Sequence, residues 1–335
     1  MIKMDYGDAH HQQQLEKDYI KIFANLQTMQ QDWSSLRKRL IKREPNFKGK
    51  LPVKIQELLL KPYMELVEIY EIFDSLGIKG KARKTNKLYI DCKALFCYEA
   101  ATDSNGIKHE KLQPNIADFF IAPNNFNIHT CHYCDMAYIN HFVTSKGKRT
   151  QFDIEHVLDK GRCPLVALSL YNFVPICPTC NGPHIKGKRQ MKINTAQRKK
   201  LSPTSPLYDF ENKVKIHVHN INGKCTTFGF EKRMDEYEIL FDTSLDPDYK
   251  EEIEFLFLEQ RYNYHKCEAL RLLDLKERYT NKYLIQLAHM IAGPSGNFTL
   301  NYQFLTAQLK EDIFSTNFME KHHRAFGKMR KDILG

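Results

Sequence analysis

The 335-residue chain has no apolar run near the roughly 20 residues that a membrane-spanning helix needs, which excludes a helical membrane protein. Its opening stretch, MIKMDYGDAHHQQQ, lacks the apolar core of a secretory signal, so the expectation is a cytoplasmic protein that inserts in no membrane. Internal repeats and low-complexity tracts are also missing, which excludes a solenoid or a compositionally biased tail. Acid is the scarcer charge: 40 Asp+Glu stand against 50 Lys+Arg, and the net charge of +10 favours a polyanionic partner. Apolar residues are not scarce. At 42% hydrophobic and 27% charged the composition is globular, and a chain this long buries about three quarters of its unfolded surface, in one elaborated domain or about two. Nine cysteines in a chain expected to be reduced favour free thiols, some of them metal ligands, over a disulfide framework.

Apolar residues at Tyr19, Phe23, Leu26, Met29, Trp33, Leu36 and Leu40 follow steps of four and three and predict one long amphipathic helix ending near Glu44-Pro45. A second stripe, Ile55 to Leu76, predicts another helix that stops at Gly77. Such stripes form core, or part of one docks a partner; the pattern alone does not choose. Residues 86–102 are apolar without a clean period and read as helix or buried strand, with helix preferred, and Cys92 and Cys97 as buried small hydrophobes. The segment LSPTSPLYDF at 201–210 reads as a boundary or a wrapped connection. Beyond it Val214, Ile216 and Val218 alternate with polar residues, Asn222-Gly223 supplies a turn, and EYEILFD makes a further strand. His217 and His219 share one strand face and are read as solvent-facing. From Asp246 onward the pattern is helical, with a break at Gly293-Pro294 and a basic last stretch in which His322-His323 are read as a solvated face.

The chemistry concentrates in residues 131 to 187. Two Cys-x-x-Cys knuckles, Cys131/Cys134 and Cys177/Cys180, each offer two thiolates about one turn apart, and together they close a tetrahedral Zn²⁺ shell. Four thiolates saturate the ion, so the zinc is expected to be structural, with His129, His132 and Cys163 as spare ligands nearby. A redox role is the weaker reading, because neither knuckle opens a thioredoxin-like pattern. Between the knuckles the sequence predicts a strand over 152–157, a loop, and a strand over 173–176; after Cys180 it predicts a helix opening at Asn181.

The runs IEHVLDKG, YNFVPICPTCN and IKG resemble the HNH nucleases of the ββα-metal fold in their four-cysteine zinc form, over about residues 124 to 200. Within that family the chain most resembles the phage-defence branch typified by the HNH subunit of Septu-type systems. The resemblance implies a zinc-stapled ββα-metal core at 124–200; with the helical pattern before it at 1–123 and the β-hairpin-plus-helices pattern after it at 201–335, the expectation is an α+β chain. It implies metal-dependent hydrolysis of DNA phosphodiesters. His156 would be the general base, Glu155 and Asn181 the protein ligands of Mg²⁺ or Mn²⁺, and Asn172 the residue that ties the loop to the strand and orients His156. His184, one helical turn past Asn181, and Asp159 are alternative ligands, and Asp153 is a further carboxylate on the strand face of Glu155. Glu155 and Asn181 stand where many relatives carry Asp and His, and an amide oxygen favours Mg²⁺ or Mn²⁺ over softer ions. An ABC-type ATPase would be the regulating partner. A zinc-stabilised nucleic-acid-binding module without catalysis and a stand-alone restriction nuclease are the other readings.

Residues 140–200 contain twelve Lys+Arg and three Asp+Glu, the acids being Asp153, Glu155 and Asp159. Cations around a small acidic centre suit a nuclease, since they bind phosphates while carboxylates hold metal. The phosphate-contact candidates are Lys146, Lys148, Arg149, Lys186, Lys188, Arg189 and Lys192, followed by Arg198, Lys199 and Lys200.

Overall fold

A computed structural model describes all residues except 110, 123, 146, 222–233, 293–303, 310, 312, 314–323 and 335. Lys146, the Asn222-Gly223 turn, the Gly293-Pro294 break and His322-His323 therefore lie outside the described residues.

Both predicted long helices are interrupted. The first is α1 (Ala9–Lys21) and α2 (Leu26–Arg43), separated by a turn at 22–25. The turn separates two ring contacts, Tyr19 with Phe119 at 5.1 Å between centroids and Trp33 with Phe96 at 5.8 Å, so that each half of the broken helix packs on its own partner. The second is α3 (Ile55–Leu59) and α4 (Tyr63–Ser75). Pro62 divides them, because proline drives the residue before it out of helical geometry and donates no N–H. Gly77, at φ +69°, follows the end of α4 as expected. The apolar stripes are core: Tyr19, Trp33, Leu40, Ile55, Leu66 and Tyr70 are essentially buried within the chain, so they offer no docking face.

The short α5 (Ala82–Thr85) leads into α6 (Lys87–Leu95), which is helical over only the first part of the 86–102 stretch, since its end joins the strand pair β1 (Ala101–Thr102) and β2 (Lys108–His109); α7 (Gln113–Phe120) follows. A β-ribbon, β3 (His141–Thr144) with β4 (Gly147–Thr150), stands exposed on both faces. Next comes the antiparallel pair β5 (Asp153–His156) and β6 (Phe173–Ile176), with Glu155 opposite Val174 and His156 opposite Phe173.

The helix expected from Asn181 is absent. One turn, α8 (Pro178–Asn181), is capped by the Cys177 side chain and ends at Gly182, so Asn181 closes a helix instead of opening one. Pro183 is the reason, since it pushes Gly182 into extended backbone. Helix resumes only at α9 (Thr195–Lys200), where Asn194 and Gln197 form a capping box.

The segment 201–210 is a wrapped connection: Leu201, Ser202, Ser205, Tyr208 and Phe210 are buried, and Pro203 accepts from the Met4 amide at 2.8 Å. After α10 (Phe210–Lys213), β7 (Lys215–Asn220) pairs with β8 (Tyr237–Asp242), with His217 and His219 exposed as expected. Helices α11 (Tyr249–Phe255), α12 (Leu258–Tyr264), α13 (Lys266–Arg278), α14 (Asn281–Ala292) and α15 (Gly327–Leu334) complete an α+β chain. One buried apolar cluster runs from Met1 to Ile333, so the ends pack on the middle. Among the described residues no helix is long and apolar enough to cross a membrane.

Candidate metal centre and cleft

The two knuckles converge as their spacing predicts. The Sγ atoms of Cys131, Cys134, Cys177 and Cys180 all lie within 4.8 Å of one another, and all four residues are buried. A tetrahedral zinc with Zn–S near 2.3 Å sets its sulfurs about 3.8 Å apart, so the cluster sits within about 1 Å of a closed shell. The thiols are unbridged, and Cys134 and Cys177 approach to 4.0 Å. Arg261 Nη1 donates to Cys180 Sγ at 3.4 Å, and this cation beside the cluster favours thiolate over thiol. These residues fit a structural metal ion such as zinc. His132 lies outside the cluster, with Nδ1 against Ile2 O at 2.9 Å, and Cys163 is buried elsewhere with its thiol pushed up by burial.

The cluster is also where distant parts of the chain meet. Tyr262 Oη donates to Cys134 O at 2.9 Å, the Ile2 amide donates to His132 O at 2.9 Å, and the Lys328 amide donates to Asp135 Oδ2 at 2.9 Å, tying on α15. Burial raises the Asp135 carboxyl to about 7. Arg261, Tyr262 and Asp135 carried no sequence signal, because their roles depend on helices that arrive from distant parts of the chain.

Along β5 an open cleft of about 800 Å³ is lined by Asp153, Glu155, His156, Asp159, Asn181 and Lys186, among others. His156 is buried, with Nε2 3.0 Å from Ala167 O. A carbonyl only accepts, so Nε2 carries the proton and Nδ1 remains the basic atom. Edge-to-face contacts with Tyr98 and Phe173, at 4.5 and 4.9 Å between ring centroids, fix the ring plane. Burial, helped by the nearby Lys160 ammonium, lowers His156 to about 3, so the ring is neutral at pH 7.

Asn172 closes the loop that follows His156. Fully buried, it accepts from the Leu158 amide at 2.7 Å and donates to Leu158 O at 3.0 Å and Val166 O at 2.9 Å, pinning both ends of the loop that carries Ala167. Glu155 is buried too; burial raises its carboxyl, and the ammonium of Lys186, ion-paired to Oε1, pulls it back. Asn181 Nδ2 donates to Asp153 Oδ2 at 3.0 Å, and among the described residues no donor reaches its Oδ1. Asp159 accepts from the Gly161 amide and from Gln190 Nε2 at 2.7 Å, as a loop-bonding carboxylate at the cleft wall. His184 is exposed and lines no part of the cleft; with the helix ended at Asn181 it is not one turn away. Gly187 has φ +48°, and a Cβ there would meet Pro183 Cα at 2.9 Å, so only glycine makes the turn that presents Lys186.

The cations divide into two groups. Arg198 pairs with Glu71 at 2.7 Å, Lys199 with Glu68 at 2.6 Å, and Lys200 with Asp246 and Asp248, so these three fasten α9 to its neighbours. Lys148 meets Asp118 at 3.2 Å, and Arg189 packs over Phe255 and Phe257 and donates to Phe255 O at 2.8 Å. Arg149, Lys188 and Lys192 are exposed. Compared with protein-family models, with curated proteins and with solved structures, the chain matches none.

Proposed function

We propose that the chain is a metal-dependent endonuclease of the HNH type that hydrolyses DNA phosphodiesters in the His156 cleft. The observation that carries this reading is a neutral histidine whose Nε2 is committed to a backbone carbonyl, set in an open cleft beside a buried carboxylate and several ammonium groups. Such a ring has one task left for Nδ1, which is to take a proton from an attacking water. A histidine near 3 is a weak base, but an incoming phosphodiester brings negative charge beside the ring and screens Lys160 and Lys186. Both effects raise its affinity for the proton as the reaction proceeds.

Glu155 and Oδ1 of Asn181 would hold the divalent ion. One carboxylate and one amide suit Mg²⁺, which keeps most of its waters and takes few protein ligands. When bound, such an ion supplies charge stabilisation at the phosphate and the leaving oxygen. Lys186 then has to leave Glu155, and the cleft offers it phosphate oxygens instead. The four-cysteine cluster keeps β5, β6 and α8 in register, so that Glu155, His156 and Asn181 share one cleft. A role in antiviral defence under an ABC-type ATPase is supported by the sequence resemblance.

The test is incubation of supercoiled plasmid with the purified chain and Mg²⁺ or Mn²⁺, beside His156→Ala and an EDTA control, with zinc quantified. Cleavage is expected in the wild-type chain and in neither control. Cleavage that survives His156→Ala refutes the assignment, and DNA bound but left intact in every condition favours a zinc-stabilised binding module.

A further inference from the structure

The stretch 78–93 carries six cations, Lys79, Lys81, Arg83, Lys84, Lys87 and Lys93, against the single acid Asp91. It forms the turn after α4, then α5 and α6. Asp91 is already engaged, by Arg39 at 2.7 Å and by the Ser104 amide at 3.0 Å. The five lysines are all exposed, and among the described residues none has an ion-pair or hydrogen-bond partner for its ammonium. That sets them apart from the cations of α9, which are consumed by internal ion pairs.

Arg83 behaves differently. It is half-buried, Nε donates to Ile78 O at 3.2 Å, and a Cβ on Gly161 would lie 3.6 Å from its Nη1. Gly161 follows β5 in the loop of the candidate catalytic cleft, and Tyr89 Oη donates to its carbonyl at 2.8 Å, which locks α6 to that loop. Arg83 consequently lines both the His156 cleft and a second open cleft of about 890 Å³, whose walls include Lys84, Lys93 and Lys108. The two clefts meet at this guanidinium.

We propose that the 78–93 strip is a phosphate-binding track that receives the backbone of duplex DNA as it runs past the His156 cleft; this rests on the nucleolytic reading above. A row of exposed like charges repels itself, and a regularly charged polyanion relieves that repulsion while releasing its counterions. The duplex is favoured over a single strand because the track offers no stacking platform: Tyr89, Phe96 and Tyr98 are buried, whereas single-strand sites stack bases on exposed rings. Contacts of this kind position the nucleic acid without reading its sequence.

The experiment places Lys79→Gln, Lys81→Gln, Lys84→Gln and Lys87→Gln together in the full-length chain carrying His156→Ala, so that binding is read without cutting. Affinity for a short labelled duplex is measured by anisotropy from roughly 50 to 200 mM salt. The track predicts at least about tenfold weaker binding at mid-range salt and a log–log salt slope shallower by up to about 3.6, near 0.9 for each of the four phosphates that are no longer neutralised. Zinc content and the urea midpoint are expected to stay at the parent's values, because the four ammonium groups bind nothing within the described chain. Equal affinity and slope overturn the track. A single-stranded RNA of the same length that binds more tightly than the duplex, and is weakened by the same substitutions, overturns the choice of occupant. Unchanged binding in a chain whose His156-intact form cuts plasmid rejects the track alone, whereas weakened binding in a chain that never cuts rejects the nucleolytic reading alone.

Discussion

Asn172→Asp removes two donors while preserving shape, and it isolates what holds the cleft. Oδ1 still accepts from the Leu158 amide, but the atom replacing Nδ2 faces Leu158 O and Val166 O at 3.0 and 2.9 Å with no proton to give. Two net hydrogen bonds of about 1 kcal/mol each disappear, and orphaning two buried carbonyls beside a charge adds roughly 1–3 kcal/mol, so the expected cost near pH 8 is about 3–5 kcal/mol. Protonation returns one donor, so the carboxyl is raised in the folded state above its unfolded value near 3.9. For a group shifted in that direction, stability is fully present below the unfolded value and is lost as pH rises through the folded one. Urea denaturation of the zinc-loaded variant from pH 5 to 8 should therefore show a midpoint that falls steadily relative to wild type, with faster exchange of the Leu158 amide. A midpoint equal to wild type at pH 8, or one that rises with pH, would refute the account of Asn172 as the clasp of the 157–172 loop. In the same variant the carbonyl of Ala167 is less firmly held, and cleavage should fall by more than stability alone explains.

Removal of the metal makes a second prediction. Structural zinc binding is worth on the order of 10 kcal/mol in small modules, so Cys177→Ser should lower bound zinc from about one per chain and expose the 131–136 knuckle to proteolysis. A metal-free chain with an unchanged urea midpoint would count against a structural role. The third concerns Glu252, which is buried against Tyr208 Oη at 2.8 Å and whose carboxyl is raised by burial, with the N-terminal amine pulling the other way. A raised carboxyl contributes stability that is complete below its ordinary range near 4.5 and is lost as pH climbs through its folded value. Glu252→Gln keeps the acceptor for Tyr208, so its denaturation midpoint should gain on wild type as pH rises from 4 toward 8. A gain that shrinks with pH would contradict the burial argument.

Several parts of the chain were legible from local rules alone. The strands over 153–156 and 173–176, the helix of 87–95 and the glycine stop after α4 depend on residue type and spacing within a few positions. The four-cysteine cluster was legible for a related reason: two knuckles of fixed internal geometry have one economical way to satisfy a tetrahedral ion, wherever they lie in the chain. The breaks at 22–25 and after Asn181 were harder. The Gly182-Pro183 pair is itself a local stop signal, masked by the polar, helix-compatible stretch after it, whereas the turn at 22–25 answers to Phe119 and Phe96, which no nearby residue announces.

Only the tertiary structure decided which charges are available. By sequence, Arg198, Lys199 and Lys200 look as suited to phosphate as Lys79 or Lys84; the fold sets carboxylates beside the first three and leaves the others in solvent. The same holds for His156, whose identity is written in the chain but whose tautomer depends on the Ala167 carbonyl, which lies 11 residues away and is presented by a loop that Asn172 closes. Composition and spacing determine which ligands and bases the protein possesses. Partners, burial and protonation state are properties of the folded neighbourhood, because electrostatic energy depends on distance and on the exclusion of water, and sequence specifies neither until the chain has packed.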